Sequence, residues 1–499
     1  MELMFNKTPV PCLRKAVSQI QAQEQTQEVR LPDSMPDIGA VLGSWGQVLI
    51  RSKEWRGSSM AVSGGVMAWV LYAPEDGSAP ISMEAWIPFQ MRWEFPQTER
   101  DGIISIVPLL RSVDARSTSA RKLMFRANVS VLGEAYEPVE PEIAVPVNVP
   151  EDLQLLKAVY PMDLPKEAGE KQIHIDEELS LPDTYPQVGK ILRYTLQPKV
   201  MEQKVMAGRL VFRGECGLHT LFADNEGGIH SWDCDVPFSQ YAELDRDYGS
   251  NSSATILPML TNLELMVDEQ NRLQLKCGMC AQYVIYDREM AEITEDAYSP
   301  MRQVKMETQQ LKMPLRLDRK EETMRMQQQL TAPVERIVDV CYLADQPQHR
   351  QNADVAVLSA PGQFQVLYYD TNGNLQSGTV RGEEAWQFPS DPQNKVDAYI
   401  QMSSRPVAEI NQQGAVLTAQ WEMVADVLSQ QGLSMLTQIT LGEKCEKDPQ
   451  RPSLILRKAG QQRLWDIARE CGSTVDAIMQ ANKLESQPDA DQILLIPMA

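Results

Sequence analysis

Residues 31–42 read LPDSMPDIGAVL, and residues 181–192, 150 positions later, read LPDTYPQVGKIL. The two stretches share a signature of four residue pairs, namely Leu31/Leu181, Pro32/Pro182, Asp33/Asp183 and Pro36/Pro186. Each then continues with a glycine among aliphatic residues. Proline and glycine constrain backbone shape, and aliphatic residues specify burial. Their recurrence predicts one fold used twice, so we interpret the signature as structural.

Each signature should lead the chain into a β unit. The prolines hold the residues before them extended, and we expect Pro36 and Pro186 to begin a short helical turn that carries aliphatic residues onto a sheet. Asp33 and Asp183 could serve in catalysis. An aspartate between prolines more often accepts backbone N–H groups of its own turn, which we expect here.

The interior of each unit has the pattern of β-strands. Residues 62–72 are apolar at both odd and even positions, which predicts a strand covered on both faces and ended by the turn at Gly77. The second copy ends its strand at Gly227. Residues 363–373 repeat this strand-and-turn form and 416–423 suggest a later strand, so a third, degenerate unit is expected. Residues 306–330 are interpreted as connecting and edge structure.

A different pattern follows the polar linker CEKDPQRPS. Strands are predicted near 454–456 and 493–496, with two helices between them. Leu464, Ile467, Ala468 and Cys471 share one helix face, and Gly472 should end that helix. Ser473 to Asp476 has the form of a capping box for the second helix. Trp465, at helical spacing, is expected to pack in a core rather than serve as a sugar platform.

This βααβ module resembles the LysM family at Gly460, Leu464 to Ala468, Val475, Ile478, Ala481-Asn482 and Leu495 to Pro497. LysM domains bind N-acetylglucosamine-containing glycans in a groove between the loop after the first strand and the loop after the second helix. The resemblance therefore implies partner-binding residues in these loops: Gly460, Gln461, Gln462, Arg463, Asn482 and Leu484. The family's usual Gly-Asp-Thr is replaced by Gly460-Gln461-Gln462, which favours recognition of protein over sugar.

The repeats and the module together resemble the SPOCS-domain family of spore coat morphogenetic proteins from spore-forming Firmicutes. The resemblance implies a non-enzymatic adaptor, without a cofactor, at the forespore surface in the mother-cell cytoplasm. Its LysM domain would bind the ATPase of the coat basal layer or a similar coat protein. The expected fold class is mainly β, with tandem β-sandwich-like repeats before the βααβ module. The expected domains are an N-terminal segment at 1–28, SPOCS repeats at 29–150 and 151–300, a degenerate β unit at 301–448 and LysM at 453–499.

Composition supports a scaffold. The formal net charge of −21 disfavours nucleic acid as a partner. No apolar run is long enough to span a bilayer. The N-terminal residues lack an apolar signal segment, and with eight cysteines this favours free thiols in a reducing cytosol. Most of the acidic charge lies in the repeats rather than in the module.

Catalytic and metal chemistry has weak support. Cys277 and Cys280 form a CxxC that could bind zinc with Cys216 and Cys234, but the surrounding pattern predicts a strand, where residues three apart face opposite sides. Four histidines occur without a hydrolase motif. The main alternative to an adaptor is a LysM protein that binds peptidoglycan or another N-acetylglucosamine glycan of the wall or cortex, and a glycan hydrolase is a distant third.

Overall fold

The computed structural model describes residues 1–96, 98, 101–444 and 452–498. These residues are predominantly β, with two short helices near the C-terminal end. The predicted fold class, mainly β with a terminal βααβ module, is confirmed. The predicted linker after the third unit includes residues 445–451, which lie outside the described residues.

The first β unit is a sandwich of two three-stranded antiparallel sheets. Its segment comprises β1 (Phe5–Pro9), β2 (Cys12–Arg30), β3 (Ile38–Arg56), β4 (Ser59–Pro74), β5 (Ile81–Glu94), β6 (Ile103–Ser119), β7 (Lys122–Val139) and β8 (Glu142–Pro146). The sheet orders are β2-β7-β6 and β3-β4-β5, and residues from both sheets share one core cluster. Strands β1 and β8 pair outside the sandwich as a short ribbon.

The second β unit has the same sheet orders. It comprises β9 (Gln154–Leu179), β10 (Lys190–Met206), β11 (Arg209–Ala223), β12 (Ile229–Glu243), β13 (Ser253–Val267) and β14 (Leu273–Tyr298). The sheets are β10-β11-β12 and β13-β14-β9. Strands β9 and β14 are longer than their counterparts β2 and β7, so residues 154–165 and 286–298 continue as a ribbon beyond the sandwich.

The third β unit has this topology with two interrupted strands. Its segment comprises β15 (Arg302–Leu311), β16 (Arg316–Thr331), β17 (Val334–Ala344), β18 (Gln348–Asn352), β19 (Val355–Asp370), β20 (Leu375–Pro389), β21 (Lys395–Met402), β22 (Val407–Asn411), β23 (Gly414–Leu428) and β24 (Leu433–Lys444). Strands β17 and β18 both pair with β19, and β21 and β22 both pair with β23. Strand β16 is an edge strand, and β15 pairs with β24 as a ribbon.

Equivalent residues identify the correspondence among the three units. Leu71, Leu221 and Leu367 lie opposite Gly43, Arg193 and Asp339, respectively, in the strand ladders. Each leucine is followed by a turn whose glycine has a positive φ: Gly77 at 76°, Gly227 at 87° and Gly373 at 77°. Glycine tolerates this conformation because it has no Cβ. Thus the third unit retains the backbone path although its entry has lost the Leu-Pro-Asp signature.

Strand β2 of the first unit overlaps residues 1–28, which the sequence predicts as a separate N-terminal segment. Strand β2 pairs with β7 along its length, so most of residues 1–28 is part of the sandwich rather than a separate segment. The half-exposed edge position of β2 explains its polar, glutamine-rich sequence. The other domain boundaries stay a prediction.

The repeat openings are turns without a helical segment. Met35 N–H donates to Pro32 C=O at 3.0 Å, and Tyr185 N–H donates to Pro182 C=O at 2.9 Å. The chain then extends directly into β3 or β10, so the predicted helical turns at Pro36 and Pro186 are wrong. The exposed Asp33 carboxylate lies 3.9 Å from Arg121 and accepts no backbone hydrogen bond in its turn.

The first leucines of the two openings differ in burial. Leu31 is 2% exposed, whereas Leu181 is only half-buried at the margin of the second unit's core. Leu31 N–H donates at 2.9 Å to Arg121 C=O in the tight turn between β6 and β7. The turn between β13 and β14 is longer, and there the Asn271 side chain accepts from Val188 N–H at 3.0 Å. The two openings are therefore held by different turns.

Several buried clusters hold the β units together, and two of them show how. At one, Leu71, Leu221 and Leu367 meet in one buried cluster with Trp45. At the other, the ribbons pack side by side in clusters that include Ile143, Ile293 and Met435. Since each unit contributes to both junctions, the three sandwiches bury apolar surface against one another, which favours a single body.

The C-terminal module has the predicted order of elements. It comprises β25 (Leu454–Lys458), α1 (Leu464–Cys471), α2 (Val475–Asn482) and β26 (Ile493–Pro497). Gly472 ends α1 with a φ of 65°. The predicted capping box is wrong by one residue, because Thr474 accepts from Ala477 N–H at 3.1 Å while the Ser473 hydroxyl donates to Pro497 C=O.

Candidate functional site

The candidate site is the terminal module, where a two-stranded sheet supports two helices and two exposed loops. Gly460 begins the first loop with a φ of 63°, and Gln461, Gln462 and Arg463 follow it on the surface. Arg463 occupies the N-cap position of α1 without a side-chain capping bond. The Arg463 guanidinium instead donates to Asp466 at 3.0 Å.

One side chain joins the two loops, and sequence analysis missed it. The Gln487 amide donates to Gln462 C=O at 2.9 Å and accepts from Leu464 N–H at 3.3 Å. A carboxamide can pair with one backbone acceptor and one backbone donor, as an N-acetyl group can. The polar segment around Gln487 has no periodicity or motif that could have identified this contact.

Gln462 is held in a surface network. Its side-chain oxygen accepts from Arg457, and its amide nitrogen donates to Glu470 at 3.1 Å. Arg457 also donates to Glu470 at 2.7 Å, and this contact raises the arginine's pKa. The side chains that border the first loop therefore pair among themselves.

Asn482 has an internal role in the module. Its amide nitrogen donates to Ile478 C=O at 2.8 Å and to Leu495 C=O at 2.6 Å, and its oxygen accepts from Leu495 N–H at 2.7 Å. Asn482 thus acts as a strand partner at the free edge of β26. Leu484 is half-buried against the module core. Of the predicted partner-binding residues, only those in 460–463 lie together on an exposed loop.

The outer face of the module's sheet is mostly apolar, with Lys458 opposite Ile493 as its charged member. Leu454, Leu456 and Ile493 are 44%, 68% and 66% exposed, and Leu495 lies opposite Leu456. Alternate residues such as Leu494 and Ile496 point inward and are buried. The apolar runs at both parities in residues 454–456 and 493–496 were a signal for two apolar faces. We call Leu454, Leu456, Ile493 and Leu495 the outer sheet face.

The first helix packs against the second β unit. The Trp465 indole N–H donates to Asp296 at 2.9 Å, and Arg469 donates to the same carboxylate at 2.8 Å. The rings of Trp465 and Tyr298 meet edge to face with centroids 4.7 Å apart. Burial raises the pKa of Tyr298 to about 12. Trp465 is 7% exposed, so it is a packing residue rather than a free sugar platform.

The four cysteines considered as zinc ligands do not meet at one point. Cys277 and Cys280 are on one strand, β14, and face different clusters: Cys277 packs in the core of the second unit with Cys216, whereas Cys280 contacts the first unit's cluster. Cys234 is half-exposed on β12. Within the described residues there is no group of three or more His, Cys, Asp or Glu side chains suited to a metal ion.

The fold and the site define a multidomain β protein with a terminal binding module. Residues 187–267 match the family model described as SipL, SPOCS domain, and residues 463–497 match the LysM domain. These matches confirm the resemblance to both families, and both families are of binding or scaffold types rather than catalytic ones. No curated protein and no solved structure matches the chain. Among the described residues, no helix is both long and apolar enough to cross a membrane.

The two family matches cover most of the second β unit and most of the module. The SPOCS match begins just before β10 and ends with β13, so it covers four of the six strands of the second unit. The LysM match begins at Arg463, the last residue of the first loop, and covers both helices, the second loop and β26. The two matches support a sporulation-related protein that carries a LysM module of a glycan-binding class.

Proposed function

We propose that this protein is a non-enzymatic adaptor in spore coat assembly. It acts in the mother-cell cytoplasm at the forespore surface and binds the basal-layer ATPase, or a similar coat protein, through its LysM module. The three joined β units form the scaffold. The observation that carries the proposal is the outer sheet face, a contiguous apolar surface on a small module.

The outer sheet face supports a protein partner over a sugar. Scattered exposed apolar residues are normal, but adjacent ones on paired strands form a patch of the kind that marks protein interfaces. The face lies on the side of the sheet away from the helices, so it stays uncovered when α1 packs against Asp296 and Tyr298. The module can therefore remain attached to the scaffold while it binds.

The two loops also favour a protein partner, because their backbone groups are poorly available to a glycan. A glycan in the groove would compete with the Gln487 amide for Gln462 C=O and Leu464 N–H. Displacement of an existing hydrogen bond returns little net free energy, because bonds are exchanged rather than added. The loop backbone groups that could recognise an N-acetyl group are thus already occupied.

The test is binding of the full-length chain to the purified basal-layer ATPase, measured by biolayer interferometry. The variant is the pair Leu456→Lys and Ile493→Lys. Each apolar side chain contributes about 1.5–3 kcal/mol when fully buried. We expect the double variant to lose at least tenfold in affinity, and a fluorescent fusion of it to leave the shell around the forespore.

The matched control is Val159→Lys with Met290→Lys. These residues are 58% and 65% exposed and lie on the ribbon of the second unit, at positions other than the module contacts Leu156, Asp296 and Tyr298. The control should bind as the unmodified chain does. Unchanged affinity in the Leu456 and Ile493 variant, with the module still folded, would reject the outer sheet face as the docking surface.

Glycan binding is the second candidate. The Gln487 amide pairs with one backbone donor and one backbone acceptor, the same groups that would suit an N-acetyl group. This function predicts that the full chain sediments with purified peptidoglycan or chitin and that Gln462→Ala reduces the bound fraction. If the chain binds glycan and not the ATPase, the adaptor proposal is wrong.

A further inference from the structure

The backbone groups of the module's sheet alternate between its two strands and its two outer edges. Ala459 N–H donates to Gln492 C=O at 2.9 Å, and Met498 N–H donates to Ser453 C=O at 3.0 Å. In an antiparallel ladder, residues that bond to the partner strand alternate with residues whose N–H and C=O groups point away from it. With the register of β25 and β26, the odd-numbered residues of β25 bond to β26, and the even-numbered residues point to the outer edge.

The outer edge of β26 is closed by a side chain. Leu495 lies opposite Leu456, and its backbone groups point away from β25. The Asn482 side chain accepts from Leu495 N–H at 2.7 Å and donates to Leu495 C=O at 2.6 Å. This contact agrees with the alternation deduced from the strand ends. A further strand could pair with β26 only if it displaced Asn482.

The outer edge of β25 is open. Within the described part of the chain, β25 pairs only with β26. The outward N–H and C=O groups of Leu454, Leu456 and Lys458 form no hydrogen bond with the described residues. A row of unpaired backbone groups is a template for another strand, and domains that bind extended peptides use such edges. The open edge therefore selects an occupant with an extended peptide backbone, which a glycan lacks.

The side chains along this edge specify what an added strand should carry. Alternate residues of a strand share one face, so the side chains of Leu454, Leu456 and Lys458 lie together. The two leucines are exposed and suit apolar neighbours. Lys458 pairs with Asp491 at 2.6 Å, but their side chains are 62% and 93% exposed, and ion pairs of this kind contribute little. A carboxylate opposite Lys458 and apolar residues opposite the leucines would therefore complement the edge.

We propose that the coat-protein partner of the module contributes an extended segment that adds to β25 as a third strand. The segment runs antiparallel, since this ladder is slightly more stable per residue than a parallel one. In chain order it places an acidic residue opposite Lys458 and apolar residues opposite Leu456 and Leu454. This mode of recognition rests on the proposed adaptor function. It is continuous with the outer sheet face, because the side chains of the added strand extend that face.

The test compares two substitutions at the centre of the edge in the full-length chain. Leu456→Ala removes the apolar side chain and keeps the backbone N–H, whereas Leu456→Pro also removes the N–H. Proline is tolerated on edge strands where the N–H faces solvent, and Lys458→Pro with Lys458→Ala serves if Leu456→Pro does not fold. In biolayer interferometry with the purified basal-layer ATPase, we expect Leu456→Pro to bind at least tenfold more weakly than Leu456→Ala.

The outcomes separate this mode of binding from the adaptor function itself. Equal affinities of the folded proline and alanine variants would overturn the added strand and leave the adaptor function in place. No binding of the ATPase by the unmodified chain would reject the adaptor function and the added strand with it.

Hydrogen exchange at single amides gives a second measurement on the unmodified chain. Binding of the ATPase should slow exchange at Leu456 and Lys458 at least tenfold, because their N–H groups gain acceptors. Ile455 and Arg457 already bond to β26 and should change less. Bound ATPase without slower exchange at the even-numbered residues would overturn the proposal. So would light scattering that shows a dimer of the unmodified chain which Leu456→Pro dissociates, since the edge would then pair with a second copy.

Discussion

Replacement of Asn482 by alanine should destabilise the module rather than remove a partner contact. The LysM resemblance assigns Asn482 to partner binding, whereas the structure gives its side chain three internal hydrogen bonds to Ile478 and Leu495. Alanine leaves both backbone groups of Leu495 without this partner at the edge of β26. Binding should therefore be lost only as far as the module unfolds.

The magnitude follows from the three bonds. Each contributes about 1 kcal/mol net, and partial solvation of the freed groups recovers some of the loss, so we expect about 2–3 kcal/mol. A module of this length has roughly 2–7 kcal/mol of total stability, at about 0.05–0.15 kcal/mol per residue. The loss is thus a large part of the whole. Asn482→Asp should be at least as destabilising, because its carboxylate would face two carbonyl oxygens.

The assay is hydrogen exchange of residues 454–498 in the full-length chain. Asn482→Ala should accelerate exchange throughout the module and leave the β units unchanged. Gln461→Ala is the control, since Gln461 is exposed and makes no side-chain hydrogen bond with the described residues. Protection equal to that of the unmodified chain, combined with lost ATPase binding, would refute the structural role and restore Asn482 as a contact residue.

Three further predictions concern the module and the body. Asp296→Ala removes the acceptor shared by Trp465 and Arg469, so it should lower module protection by about 1–2 kcal/mol in hydrogen exchange without changing the β units. Gln487→Ala frees two backbone groups and should increase the fraction of chain that sediments with chitin; an unchanged fraction would show that this amide does not limit glycan binding. Arg193 and His219 outweigh burial and lower the pKa of Asp339 to about 2. The stability from this depressed pKa is present above 3.8 and lost as pH falls toward 2, so acid denaturation should concentrate in this interval.

Sequence patterns predicted most local elements because each depends on a few neighbouring residues. The α1 helix lies at Leu464–Cys471 because its apolar residues recur at helical spacing and Gly472 can adopt the positive φ that ends it. The strand β4 follows from an apolar run at both parities. The turn at Gly227 was predicted from composition alone, and its φ is 87°.

The predictions of the turn at Pro36 and of the N-cap of α2 were wrong because the local sequence is compatible with two backbone conformations or two capping residues. Pro36 is compatible with a helical first turn and with an extended entry, and the long pairing of β3 with β4 decides for the strand. Ser473 and Thr474 are both good N-caps. Thr474 takes the cap because Ser473 bonds to Pro497 on the returning strand β26. In both cases the decisive partner is distant in sequence.

The sequence by itself determined the repeated sandwich, its glycine turns and the βααβ module, because these depend on backbone preferences and on apolar periodicity over short windows. Only the tertiary structure decided three contacts. These are the pairing of Arg193 with Asp339, the hydrogen bond from Trp465 to Asp296, and the hydrogen bonds between Gln487 and the first loop. Each joins side chains that no local pattern relates, since their proximity arises from the packing of separate units and loops. The exposure of the outer sheet face has the same origin.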